Sequence, residues 1–399
     1  MAMSAFTDWL TKYNQRVDDR HLRRPRRVVR TLPDGWCEIN GRRVRNLASN
    51  DYLNLAHDER LVHAAQDALI KSGVGSTSSA LVAGRSEWQD CLEERLAAFE
   101  GREAALVFPT GYAANLGTLS ALLTTDAVVF SDRLNHASLI DGCRLSKARR
   151  EIYEHTQLDA LRERLSHATP FEPRFLVTDG VFSMDGNLAP LPGLVTLADE
   201  FSAVLVVDEA HGTGVLGREG RGAAEHLGVH HRIDVGVGTL SKALGGMGGF
   251  VTGSRSLIDC LWHAARTQFF STALPPAICA AACAALEIVQ EEPQRRRQVT
   301  ESAAALRNGL REQGLTVPDG HGPIVPVILR EPELTTRVAM RLLEDGFFVG
   351  AIRPPTVPPN TSRLRISLSA AVDIAEVEQL IQRLVTAVET CSPSKSHPA

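Results

Sequence analysis

The chain has 399 residues, 44% of them apolar and 23% charged, with a formal net charge of −4. That length supports a large core and more than one domain, and the charge balance excludes an overall basic field for nucleic acid. No apolar run reaches membrane-spanning length, Met1 to Leu10 lacks the apolar core of a signal peptide, and seven scattered cysteines form no C-x-x-C pair. A protein without nucleic-acid or membrane partners, in a reducing cytoplasmic compartment, is the expectation.

Residues 1–48 read as an Arg-rich arm, with a short hairpin over 36–44 turned by Asn40-Gly41. Its basic cluster, Arg23-Arg24-Pro25-Arg26-Arg27 with Arg30, suits a phosphate-rich ligand or a solvated arm equally. From 49 to 291, apolar runs alternate with helical patterns. Strands are predicted at 104–108, 127–130, 174–178, 204–207, 234–237 and 249–252, with helices at 87–100, 115–123 and 158–167 between them. Such alternation gives an α/β domain whose mostly parallel sheet is covered on both faces. Residues 292–391 read as a smaller α+β domain, with a helix from Pro293 through Arg311, strands at 324–329, 347–352 and 364–368, and helices at 334–345 and 374–388. The Ser/Pro/Lys-rich tail, 392–399, reads as disordered.

Two segments carry the chemistry. Leu205-Val206-Val207-Asp208-Glu209-Ala210-His211-Gly212 is an apolar, β-branched run ending in an acid, a His and a Gly, as a buried parallel strand does when it delivers polar groups to its carboxyl end. Gly238-Thr239-Leu240-Ser241-Lys242-Ala243-Leu244-Gly245-Gly246 sets one lysine in a loop of small residues. An acid at a strand end and a lysine in such a loop suit pyridoxal 5′-phosphate, whose aldehyde needs a primary amine and whose ring nitrogen needs a carboxylate to stay protonated. At about 4 Å and an effective dielectric near 20, that carboxylate is worth roughly 4 kcal/mol, or about three pKa units. Arginine in place of Lys242 could form no imine.

Other positions are compatible with the same cofactor. Thr239 can offer a hydroxyl to the phosphate. Gly111 and Tyr112, in Pro109-Thr110-Gly111-Tyr112, would open a helix and present N–H groups to it. His136, in Asn135-His136-Ala137-Ser138, either stacks on the ring or is an ordinary loop histidine. Ser183 follows the strand at 174–178, and His211 lies three residues beyond Asp208; either could bond a ring oxygen. Of the arginines in Arg363-Leu364-Arg365-Ile366-Ser367, one facing a cleft could bind a carboxylate, and the alternative is a solvated strand face. His226, His230 and His231 have no acid or cysteine at ligand spacing and read as a surface loop, so no metal is expected; Cys279 and Cys283 read as small core residues. Neither a G-x-x-x-x-G-K-[ST] phosphate loop nor a G-x-S-x-G elbow is present.

Collinear landmarks now accumulate: Ser49-Asn50-Asp51-Tyr52-Leu53, Thr110-Gly111-Tyr112, Asn135-His136-Ala137-Ser138-Leu139, 181–186, 208–212, 239–242, Phe270-Ser271-Thr272 and 363–369. On these the chain, from about Arg23 to Val388, resembles the α-oxoamine synthase family of fold-type I pyridoxal-phosphate transferases. The resemblance implies Lys242 as the cofactor-bearing amine and Asp208 as the pyridinium partner. It also implies that Gly111, Tyr112, Ser183, His211 and Thr239 hold the cofactor and that His136 stacks on it. Asn50 and Arg365 would serve the amino-acid substrate, Arg365 by holding its carboxylate. Family sites lie at a homodimer interface, which would send Thr272 to the neighbouring subunit's phosphate. Ala351-Ile352-Arg353-Pro354-Pro355-Thr356-Val357-Pro358 is similar to the segment of the branch that condenses L-alanine with a pimeloyl thioester, on coenzyme A or acyl carrier protein, in biotin biosynthesis. On that likeness Arg23 and Thr356 would meet the acyl substrate. Condensation of glycine with a short acyl donor is the alternative. Asn54, Gln89, Val372 and the turn 78–84 depart from the family pattern.

Overall fold

A computed structural model describes residues 4–20, 22–169 and 172–392. The tail assigned to disorder therefore lies, from residue 393 on, outside the described residues. Thirteen strands are described: β1 (Arg30–Leu32), β2 (Trp36–Ile39), β3 (Arg42–Leu47), β4 (Ala104–Phe108), β5 (Val128–Asp132), β6 (Arg149–Tyr153), β7 (Arg174–Asp179), β8 (Ala203–Asp208), β9 (Val235–Thr239), β10 (Gly249–Gly253), β11 (Ile324–Arg330), β12 (Phe347–Ile352) and β13 (Ser362–Ser367).

The larger sheet has the order β4-β10-β9-β8-β7-β5-β6. Its strands from β9 through β6 pair in parallel, whereas β10 runs antiparallel to both β9 and β4. Val128, Val129, Phe130, Leu176, Val177, Leu205, Val206 and Val207 are buried, so these strands are apolar on both faces, as helices packed above and below a parallel sheet require. Because the parallel strands share one direction, their last residues collect on one edge. Those residues are Asp132, Asp179, Asp208 and Thr239. Ligands of open α/β sheets bind in the crevice outside that edge.

The smaller sheet, β1-β2-β3-β12-β13-β11, joins the two ends of the chain. The hairpin of the arm forms as expected, but β3 then pairs in parallel with β12 and brings residues 30–47 into the C-terminal sheet. Arg45 fastens the join. Its guanidinium, almost wholly buried, pairs with Glu376 at the start of the helix Ile374–Cys391 and donates to the carbonyls of Asp34 and Ala371. The helix Ala5–Asp19, for which the sequence reading had no element, buries no residue.

One reading is corrected. His230 does not lie on a surface loop: it is buried in the turn His230–Arg232, its Nε2 2.7 Å from the carbonyl of Glu100. Cys279 and Cys283 are core residues of the helix Pro276–Glu291, as anticipated. The departures from the family pattern also find local reasons. Asn54 adopts φ +55°, the left-handed region that asparagine tolerates better than other non-glycine residues. Gln89 is buried against Glu93, and the carbonyl of Val372 accepts from Ser302.

Arg45→Ala would leave Glu376 and two carbonyls without their donor, at a cost of about 2–4 kcal/mol for a pair with one partly exposed member. Urea unfolding should show a lower midpoint with an unchanged slope. A midpoint equal to wild type would mean that the two ends of the chain are joined by something else.

Candidate active site

At the carboxyl edge of the parallel strands lies a cavity of about 260 Å³ lined by Asp179, Asp208, His136, His211, Thr239 and Lys242, among others. Asp208 is 4% exposed. Its Oδ1 accepts the N–H of Ala210 at 2.8 Å and its Oδ2 accepts the side-chain amide of Asn115 at 2.6 Å. Two neutral donors fix the orientation of the carboxylate at the cavity wall.

Asn115 also joins the acid to His136. It donates to Ser138 Oγ at 2.9 Å, and Ser138 Oγ lies 2.7 Å from His136 Nδ1. The backbone N–H of Ser138 points at the same nitrogen at 3.3 Å, because His136 caps the helix Ala137–Leu145. An Nδ1 that accepts a backbone N–H puts the ring proton on Nε2. Burial holds the His136 pKa down and Lys242 adds to this, although Asp208 pulls the other way; the ring is kept neutral. The backbone N–H of His136 is held at 2.6 Å by Asp179, whose own carboxyl is pushed well above the usual range by burial and by Asp208, its register partner across β7 and β8.

The lysine loop meets the helix Gly111–Leu122 on the other side. A side chain on Gly249 would place Cβ 2.6 Å from the backbone of Gly111, so only glycine lets β10 start there. Thr110 caps the helix through Ala113 N–H at 3.0 Å, leaving the N–H groups of Gly111 and Tyr112 without intrahelical acceptors. Thr239 Oγ1 gives its proton to the Gly248 carbonyl at 2.8 Å and lies 2.8 Å from Ser241 Oγ. Together these form an anion-receptive corner facing Asp208. Burial lowers the Lys242 amine to about 8, against the pull of Asp208 and Asp179.

Both arginines of β13 turn out to be buried, which removes the solvated-face alternative. Their partners separate them. Arg363 is paired with Asp185 and gives Nε to the carbonyl of Thr361. Among the described residues Arg365 has no carboxylate within ion-pair reach: Nε donates to the Ser183 carbonyl at 2.6 Å, and Nη1 to Asn50 Oδ1 at 3.2 Å and Ser367 Oγ at 2.8 Å. Its Nη2 edge, with only a 3.4 Å contact to the Tyr52 hydroxyl, remains for an anion. Tyr52 in turn lies 2.6 Å from His211 Nδ1, and burial keeps His211 well below its ordinary pKa.

The remaining expected residues are less gathered. Tyr112 lines the cavity mouth, its hydroxyl bound to Asp141 at 2.5 Å. Ser183 contributes its carbonyl. Thr272 is exposed and bridges to Ser79, away from the cavity. Arg23 is exposed and paired with Asp18, while its neighbour Arg24 donates to Thr356 Oγ1 at 3.0 Å. Asn115, Ser138, Asp179 and Tyr52 had no assigned role in the sequence reading. Asn115 and Asp179 carried a signal, being polar residues at a helix start and a strand end of otherwise apolar segments. Among the described residues no group of three or more His, Cys, Asp or Glu is placed to hold a metal, and no helix is long and apolar enough to cross a membrane.

Residues 42–384 match the family described as aminotransferase class I and II. The chain belongs to that family. The 8-amino-7-oxononanoate synthase of Anaeromyxobacter sp. is 46% identical over 98% of this chain and 98% of its own length, and that of Geobacter sulfurreducens is 47% identical over 92% and 94%. Among solved structures, a serine palmitoyltransferase from S. paucimobilis superposes with a TM-score of 0.92 at 30% identity, covering 98% of this chain and 99% of that one. An 8-amino-7-oxononanoate synthase from Francisella tularensis gives 0.76 at 29% identity, covering 87% and 98%. These relatives are fold-type I α/β transferases of the α-oxoamine synthase kind, and the chain is an enzyme of that kind.

In cofactor-free protein, an amine-reactive probe should label Lys242 with a rate that is half-maximal near pH 8, well before ordinary lysines near 10.4 react. Asp208→Asn removes an anion that favours the charged amine, so its profile should move to lower pH. Peptide mapping across pH would read both effects, and a Lys242 profile matching that of Lys12 would contradict the geometry.

Proposed function

We propose that the chain is an 8-amino-7-oxononanoate synthase, using pyridoxal 5′-phosphate to condense L-alanine with a pimeloyl thioester, with loss of CO2 and release of the thiol carrier. The observation that carries this reading is the convergence of Asp208, His136 and Lys242 on one cavity, with Arg365 linked to its His211 wall through Tyr52, in a chain more than 40% identical to synthases of that name. The cavity suits the cofactor. Asp208 would face a cationic ring nitrogen, His136 offers a neutral ring held by its cap, and the Gly111 and Tyr112 N–H groups with the Ser241 hydroxyl, which Thr239 positions, would receive a phosphate. Bound there, pyridoxal phosphate supplies an electron sink for negative charge at the amino acid's α-carbon.

The protein's part is orientation and proton handling. Arg365, braced by Asn50 and the Ser183 carbonyl, would hold the alanine carboxylate and thereby set which bond at the α-carbon faces Lys242. An amine with a pKa of about 8 can be neutral often enough near pH 7 to accept a proton, and the buried site returns it efficiently. His211 and Tyr52 would keep the opposite wall polar without adding charge. Thr356, with Arg24 beside it and Arg23 one residue earlier, would border the acyl chain's entry; a carrier phosphate of coenzyme A or acyl carrier protein suits the same basic arm.

A homodimer is part of the proposal. Leu81, Val82 and Phe270 are exposed beside Thr272, an apolar surface that a second copy would cover, with Thr272 reaching that copy's phosphate. The cytoplasm is the proposed compartment, in keeping with seven unpaired thiols. We further propose a division near residues 48 and 291 into an N-terminal segment, whose residues 30–47 join the C-terminal sheet, a cofactor domain and a C-terminal α+β domain. The higher TM-score of the serine palmitoyltransferase makes a long-chain synthase the second reading, set against the lower identity of that enzyme.

A thiol-release assay crossing alanine, glycine and serine with acetyl, succinyl, pimeloyl and palmitoyl thioesters should single out alanine with pimeloyl. Preference for serine with palmitoyl would replace the substrate assignment. Lys242→Ala should abolish turnover, and Arg365→Lys should raise the alanine KM about tenfold or more with a smaller change in kcat, since the Nη2 donor left for the carboxylate is lost.

A further inference from the structure

A second cavity, of about 670 Å³, lies between the loop that follows His211, the helix Pro293–Glu312 and the turn at Gly320–Gly322. It shares no lining residue with the Lys242 cavity. Four arginines line it, Arg218, Arg296, Arg297 and Arg307, against one carboxylate, that of Glu225. The Glu225 carboxylate is already spent on the backbone N–H groups of Glu219 and Arg221, at 3.0 and 2.9 Å.

Two of the four guanidinium groups are deeply placed: Arg296 is 5% exposed and Arg307 is 6% exposed. Among the described residues, neither has a carboxylate within 4.0 Å. Arg296 bonds only carbonyls, those of Val289 and Arg218. Arg307 gives one N–H to the Ile324 carbonyl at 3.0 Å, and its Nε is buried with no partner. Of the acids outside the lining, Glu219 meets the exposed Arg218 at 3.4 Å and Asp319 is taken by Arg311 at 2.6 Å. Buried charges are ordinarily paired, because the loss of hydration is otherwise uncompensated. Burial accordingly holds both guanidinium pKa values below their ordinary value. Two buried cations that share one cavity, with two exposed cations at its rim, are arranged for an anion carrying more than one charge.

We propose that this cavity is a binding site for a small phosphate-bearing anion, held from below by Arg296 and Arg307 and from the rim by Arg297 and Arg218. The planar donor edges of arginine match phosphate oxygens in pairs, and the cavity has room for a diphosphate group. The site is separate from the cofactor's phosphate corner and does not depend on which thioester the enzyme uses.

Titration calorimetry of the cofactor-loaded protein with inorganic pyrophosphate, at fixed ionic strength, tests this with the active-site phosphate corner already filled. One saturable site per chain is expected, and Arg297→Gln and Arg307→Gln should each weaken it tenfold or more, the scale of a lost charge-assisted hydrogen bond. Adenosine triphosphate as a second titrant separates the sources: tighter binding than pyrophosphate assigns the ligand to a nucleotide, equal binding to a free phosphate. Arg297 is exposed and its loss should leave folding intact, so that variant carries the test if Arg307→Gln does not fold. No saturable binding by wild type, or wild-type affinity in Arg297→Gln or in a folded Arg307→Gln, would overturn the proposal.

Discussion

A buried carboxylate held by fixed N–H donors is the constraint on which the site depends. Asp208 lies at the end of β8, where an isolated carboxylate would lose its hydration without compensation. The fold instead gives it two neutral N–H donors, from Ala210 and Asn115, and an amine across the cavity. Its neighbour Asp179 lies in register beside it and yields: burial and the charge of Asp208 push its carboxyl upward, and it spends itself on the His136 backbone. Two acids of the same type at the same sheet edge thus take different roles, and the difference lies in their donors.

The same logic explains the neutral histidines and the poised lysine. His211 is buried and His136 is exposed at the cavity edge, yet both lie near cations and both are held below their ordinary pKa. A charged imidazole at either place would compete with the ring nitrogen of a bound cofactor for the field of Asp208. Lys242 is lowered by burial yet restrained by two carboxyl groups, which leaves it able to exist in either protonation state near neutral pH. A group that can hold either protonation state near neutral pH can give and take a proton in one turnover.

Much of the architecture was legible in the chain because it follows local rules. The predicted strands at 104–108 and 347–352 and the helix at 87–100 coincide with β4, β12 and Glu87–Glu100, where apolar runs stop at clear breakers. β6 went unread: Arg149-Arg150-Glu151-Ile152-Tyr153 is an edge strand, mostly exposed, and its pattern reports no buried face. β1 was missed for the same reason. The partnership of β3 with β12 joins residues about three hundred positions apart, and no local periodicity encodes such a pairing.

For the site, the sequence by itself determined the chemical types: one lysine among small residues, an acid at the close of a β-branched run, histidines and arginines at matching landmarks. Only the tertiary structure decided which of them act together. It paired Arg363 with Asp185 and left Arg365, among the described residues, without a carboxylate in ion-pair reach. It brought in Asn115, Ser138 and Tyr52, whose value lies wholly in hydrogen bonds to residues distant along the chain. It also set Arg24 rather than Arg23 against Thr356. Side-chain identity is written residue by residue, whereas charge compensation and hydrogen-bond partnership are properties of neighbours in space, and folding alone supplies those neighbours.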